Sequence, residues 1–190
     1  MQHTTRETWL IAAVAELAPL FVAQAATIPT VQVSCGWPSR AALSRKRARL
    51  GECWPPECAA DGRAHIFVSP VLADPLPTLV HELVHAAVGT AAGHRAPFKR
   101  LATALGLIGP MRVTSAGPEL RVRLDALSAT LGEYPHGILK PAVRTHKGSR
   151  LLKAECPCGA IIRVTAKLVD SPGLPTCACG EPFTLSPTPN

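Results

Sequence analysis

His81-Glu82-Leu83-Val84-His85 sets two imidazoles four residues apart with a carboxylate between them. In a helix, residues four apart lie on one face, one turn apart, so both rings can bind the same ion. Neutral imidazole suits zinc at about 2.0–2.1 Å. Glu82 sits beside the two rings. It can take a proton from a water that the ion has acidified and hand it to a leaving amine. An open catalytic zinc site needs a third protein ligand. His94 is the leading choice, because Gly89-Thr90-Ala91-Ala92-Gly93 can turn the chain back towards the helix. Glu119 is an alternative with less support, and His65 and His136 are weaker.

Four of the seven cysteines form a second constellation, Cys156-Pro157-Cys158-Gly159 and Cys177-Ala178-Cys179-Gly180. Four thiolates on two turns can close a tetrahedral structural zinc site. Each pair is one residue shorter than the usual C-x-x-C knuckle. Free thiols or disulfides are the other readings of such pairs. Cys35, Cys53 and Cys58 leave an odd count and read as free thiols or core residues. Close pairing points to metal rather than a disulfide framework, and so to a reducing cytoplasm.

These residues need elements to hold them. Asp74-Pro75 can open a helix, with Asp as cap and Pro at the first position. Leu76, Leu79, Val80, Leu83, Val84, Ala87 and Val88 cover most of its circumference, which predicts a centrally buried helix carrying the His-Glu-His motif. A further helix is expected from about Pro97 to Leu105, and another from Pro118, with Leu120, Leu124, Leu127 and Leu131 as its apolar face. Short strands are expected at 31–34, 51–54 and 65–69, the last two as a hairpin turning at Asp61-Gly62. Two more flank the cysteine pairs, at 151–153 and 161–164.

Trp9 to Ala26 is largely apolar, and Ala23-Gln24-Ala25 imitates a signal-peptidase site. Glu16 and Pro19 interrupt that stretch and Glu7 weakens a basic leader. Trp9, Ala13 and Leu17 keep helical spacing, as do Leu10, Val14 and Ala18, so an amphipathic helix is expected rather than a membrane anchor.

The chain has 190 residues, 47% of them hydrophobic and 17% charged, which excludes disorder throughout and allows one domain plus a small module. Twenty Lys and Arg against 13 Asp and Glu leave +7, which favours a polyanion partner over an acidic protein. Arg40, Arg45, Lys46, Arg47 and Arg49 crowd one segment that could contact phosphate. The stretch 140–150 is polar and basic and reads as a linker between a domain at 1–139 and a module at 151–190. Only eight aromatic residues are present, so a platform for stacking single-stranded bases is not expected.

His81-Glu82-Leu83-Val84-His85 followed by Gly93-His94-Arg95-Ala96-Pro97-Phe98 resembles the SprT-like metallopeptidases, which include the Spartan-type proteases. The resemblance covers roughly residues 6 to 132 plus the cysteine module. It implies an α+β fold: a minimal zincin-type metallopeptidase domain of helices and a small sheet, followed by a zinc ribbon. It also implies His81, His85 and His94 as zinc ligands, Glu82 as the catalytic base, and a ribbon that assists nucleic-acid binding. Lys147, Arg150, Lys153, Arg163 and Lys167 supply charge for that. The expectation is a two-zinc enzyme, one ion catalytic and one held by Cys156, Cys158, Cys177 and Cys179, cleaving protein on or near DNA. The alternatives are a non-enzymatic zinc- and DNA-binding protein, or a zinc hydrolase acting on another bond.

Overall fold

The computed structural model describes residues 3–44, 48–141 and 151–186. Arg45, Lys46 and Arg47 of the basic run, most of the basic linker (142–150) and the last four residues lie outside the described residues. The chain is a mixed α and β protein that divides into two compact units, Met1–Pro141 and Ala142–Asn190.

The first unit opens with helix α1, Arg6–Val22. Thr5 caps it: its hydroxyl accepts from the Thr8 amide at 3.1 Å, and Thr8 returns a bond to the Thr5 amide. Trp9, Leu10, Ala13, Leu17 and Phe21 are buried at helical spacing, while Glu16 faces solvent. The 17-residue helix thus uses its apolar residues as a core stripe. Among the described residues, no helix is long and apolar enough to cross a membrane.

Strands β1 (Val31–Cys35), β2 (Gly51–Trp54) and β3 (Ala64–Val68) form one sheet in the order β1-β3-β2. The expected hairpin is present, since β2 and β3 run antiparallel with Cys53 opposite Ile66 and Gly51 opposite Val68. β1 adds to the other side of β3 in parallel, with Val33 opposite Ile66. The period of two sends Val33, Ala64, Ile66 and Val68 inward. Glu52, Trp54, His65 and Phe67 go to the other face, where with Trp37 they line an open cavity.

Helix α2, Leu76–Val88, packs against β2 and β3, and its Leu76, Leu79, Val80, Leu83 and Val84 are all buried. The Asp74 carboxylate accepts from the Leu76 amide at 3.0 Å, but Pro75 occupies the N-cap and Leu76 is the first helical residue, so Asp and Pro each stand one place before the expected positions. Helix α3 spans Ala96–Ala104 and buries Phe98, Leu101 and Ala102. A two-residue antiparallel pair follows, β4 (Leu107–Ile108) with β5 (Ser115–Ala116). Helix α4, Pro118–Leu131, buries Leu120, Leu124 and Leu131 and half-buries Leu127. It returns to α1, where the Trp9 indole N–H donates to the Gly132 carbonyl at 2.9 Å.

In the second unit, β6 (Leu151–Glu155), β7 (Ile161–Thr165), the short helix α5 (Ala166–Asp170) and β8 (Thr184–Leu185) form a three-stranded sheet, order β7-β6-β8, with one helical turn. Its core is small: Ala154, Cys156, Val164 and Phe183.

Candidate metal centres

Helical spacing puts His81 and His85 on one face of α2, and the loop after the helix returns His94 to them. The return depends on two glycines. Gly89 ends α2 at φ 82, and Gly93 at φ 52 sits in the left-handed region immediately before His94, where a side chain would be strained. His94 Nε2 then lies 3.2 Å from His81 Nε2 and 3.2 Å from His85 Nε2. Three nitrogens bound to zinc at about 2.05 Å in a tetrahedron would be about 3.3 Å apart, so the observed spacing fits one ion. His81, His85 and His94 form a group able to hold a metal, and its imidazoles are half-buried. Glu119, His65 and His136 are not in the group. His65 instead faces Asp61 at 3.2 Å, and His136 Nε2 lies 2.8 Å from the Pro70 carbonyl oxygen. Tyr134, two residues before His136, packs on Trp9 with ring centroids 5.0 Å apart.

Two features around the histidines were not evident in the sequence. Phe98, the last residue of the segment that begins at Gly93, lays its ring against all three imidazoles, with centroids 4.9, 4.4 and 4.9 Å from His81, His85 and His94. It forms an apolar floor that excludes water from one side. Thr114, on the loop between β4 and β5, has its hydroxyl 2.7 Å from His81 Nδ1. With Nδ1 protonated and donating to that hydroxyl, the Nε2 lone pair is left for the ion, and the ring cannot turn away. No periodicity or motif marks a loop threonine for this role. Its position comes from the β4–β5 turn, closed by the Gly117 amide donating to the Gly106 carbonyl at 2.8 Å. Thr114→Val should therefore weaken zinc at the histidine site by about 10–100-fold without unfolding the domain. Competition with a chelator of known affinity would measure it; unchanged affinity would show that the Thr114 contact does not orient His81.

Electrostatics favour ligation. Burial holds His81 down to about 4 and His85 down to about 3, with neighbouring imidazoles adding to the effect, and burial also lowers His94. All three rings are therefore neutral at pH 7, the form that binds metal. Three neutral imidazole nitrogens converging at this spacing can share one cation. Glu82, only 6% exposed, is pushed up to about 8, chiefly by burial; Arg49 pulls the other way and Glu52 adds to the rise. A dication beside it would favour the carboxylate form.

The second centre is built from two matching turns. The Cys156 amide donates to Ala160 and the Gly159 amide donates to Cys156. The Cys177 amide donates to Glu181 and the Gly180 amide donates to Cys177, at 2.8–2.9 Å throughout. The repeat projects two sulfurs from each turn. Cys156 Sγ lies 3.4 Å from Cys179 Sγ and 3.3 Å from Cys158 Sγ, and Cys158 Sγ lies 3.7 Å from Cys177 Sγ. These distances are far too long for disulfides, and all seven cysteines are free. They approximate the edge of about 3.75 Å expected for four sulfurs on one zinc at 2.3 Å. The one-residue shortening of each pair therefore still permits a closed site. Cys35, Cys53 and Cys58 lie outside it. Cys53 packs on the first unit's core, where burial pushes its thiol up to about 12.

No protein-family model, curated protein or solved structure matches this chain.

Proposed function

We propose that the chain is a zinc-dependent metallopeptidase that acts on proteins at or near DNA. The observation that carries the reading is a coordination sphere with three protein ligands among the described residues and a buried carboxylate beside it. Three imidazoles converge on one point, and the helix that supplies two of them places Glu82 at the adjacent position. A purely structural site would close with a fourth protein ligand, as the four cysteines do, and would have no use for a buried glutamate beside it. Zinc held by His81, His85 and His94 supplies Lewis acidity and an acidified water. The residues of the chain do the rest. Thr114 and Phe98 hold the imidazoles in orientation. Glu82 takes the proton from the attacking water and returns it to the amine that leaves. The similarity of the motif and its spacing to SprT-like enzymes supports a peptide bond as the one broken.

DNA enters on charge. The chain carries +7, and the cysteine unit exposes Arg163 and Lys167. The test is cleavage of a basic DNA-binding protein by the purified full chain, with and without DNA, across a salt series. Binding through phosphates weakens steeply with salt. DNA-stimulated cleavage that fades as salt rises is expected. Cleavage that ignores DNA would keep the peptidase and remove the nucleic acid. DNA binding with no cleavage of any protein offered would favour a zinc- and DNA-binding protein without catalysis.

A further inference from the structure

Strand β2 begins at a glycine that lies against the candidate base. A Cβ placed on Gly51 would sit 2.5 Å from Glu82 Oε1, 2.8 Å from Glu82 Cγ and 2.6 Å from Thr78 Cγ2. All three are well inside van der Waals contact. Gly51 is absent from the positive-φ glycines, so its backbone conformation is open to any residue. What the position requires is the missing side chain, not a glycine's torsional freedom.

Neither partner can retreat. The start of β2 is tied to β3 by the Ser69 amide donating to the Leu50 carbonyl at 2.8 Å, and by the pairing of Gly51 with Val68. Helix α2 packs on the same sheet, and its Leu79 and Leu83 are fully buried in the core. Thr78 lies one turn before Glu82, so its methyl group forms the second wall of a narrow slot. The softest thing in that slot is the torsion of the Glu82 side chain.

We propose that Gly51 is a positioning residue. The bare backbone of β2 and the Thr78 methyl form a slot that holds the Glu82 carboxylate in one orientation beside the histidines. This rests on the metallopeptidase reading, and it adds a requirement on the strand that faces the helix. A methyl group at Gly51 would displace the carboxylate while leaving the three imidazoles in place.

The test uses the full zinc-loaded chain and acetohydroxamate, a small ligand that binds an open zinc and donates a hydrogen bond to a neighbouring carboxylate. Calorimetric titration would compare wild type, Gly51→Ala, Glu82→Ala and the double variant, each with zinc per chain measured. Gly51→Ala and Glu82→Ala should each weaken binding by about tenfold at unchanged zinc content. The double variant should bind no more weakly than Glu82→Ala alone, because a residue that acts through Glu82 has nothing to act on once it is gone. Wild-type affinity in Gly51→Ala, or losses that multiply in the double variant, would overturn the proposal. Should Gly51→Ala not fold, Gly51→Ala with Thr78→Ala opens the other wall and enters the same comparison. In a cleavage assay Gly51→Ala should lower kcat by about 100-fold with KM within about twofold, since a displaced base impairs the chemical step rather than binding. Glu82-dependent hydroxamate binding by a chain that cleaves nothing would sink the peptidase reading but not the slot. A histidine site that takes up no zinc would sink both.

Discussion

Glu82→Gln should keep two zinc ions per chain and lose proteolysis by about 10²–10⁴-fold, the range associated with a positioned proton acceptor. The change preserves volume and one carbonyl oxygen, so the slot between Gly51 and Thr78 stays filled. It removes the ability to take a proton. Metal content should not follow activity, because the three converging nitrogens come from His81, His85 and His94 alone. Stability of the zinc-free chain should hold or rise slightly. Burial pushes the Glu82 carboxyl up to about 8, which marks an ionised form that the folded protein disfavours, and a neutral amide carries no such penalty. Elemental analysis, thermal unfolding and turnover on one protein substrate would measure all three. Cleavage retained at the wild-type rate would mean that another group takes the proton, and the assigned role of Glu82 would fall.

The motif was legible because helical spacing turns a linear pattern into a spatial one. His81 and His85 needed only the helix, and the apolar run from Leu76 to Val88 announced it. His94 was legible for a different reason, the glycines on either side of a short return. The four cysteines declared themselves by pairing. Thr114 was not readable, because a loop residue carries no period and its contact with His81 depends on how β4 and β5 close. Gly51 offered a weak signal: an isolated glycine opening a strand often marks a close approach of backbone to something else. Its partner, 31 residues on, could not be named without the register of β2 on β3. The parallel pairing of β1 with β3 was equally hidden, since alternation assigns faces to a strand but no neighbour.

Loss of zinc should unfold the second unit and spare the first. In the first unit, Leu10, Leu17, Phe21, Leu83, Phe98 and Leu124 belong to one continuous buried cluster that needs no ion to form. The second has four buried residues among those described, one of them a candidate ligand, Cys156. A core that small cannot offset the conformational entropy of ordering such a segment. Zinc binding at four-thiolate and related sites contributes about 10–16 kcal/mol at pH 7, enough to decide whether the unit folds. Cys156→Ser, or chelation, should strip hydrogen-exchange protection from the amides of β6 and β7 while leaving those of α2 and β3 protected. Cys58→Ser, at an exposed thiol outside the group, should change neither. Protected β6 and β7 amides in metal-free protein would show that the sheet stands without the ion.

The bond from the Trp9 indole to the Gly132 carbonyl joins residues 123 positions apart. Its consequence is one of timing. A ribosome adds about 5–20 residues per second, so on the order of 10 s pass between the emergence of α1 and that of the helix that covers it. Over that interval β1 and α2 can already reach α1, while the Trp9 indole N–H still lacks the carbonyl it donates to. Closure of α1 against α4 is therefore a late event in synthesis, completed only when the residues around Gly132 emerge.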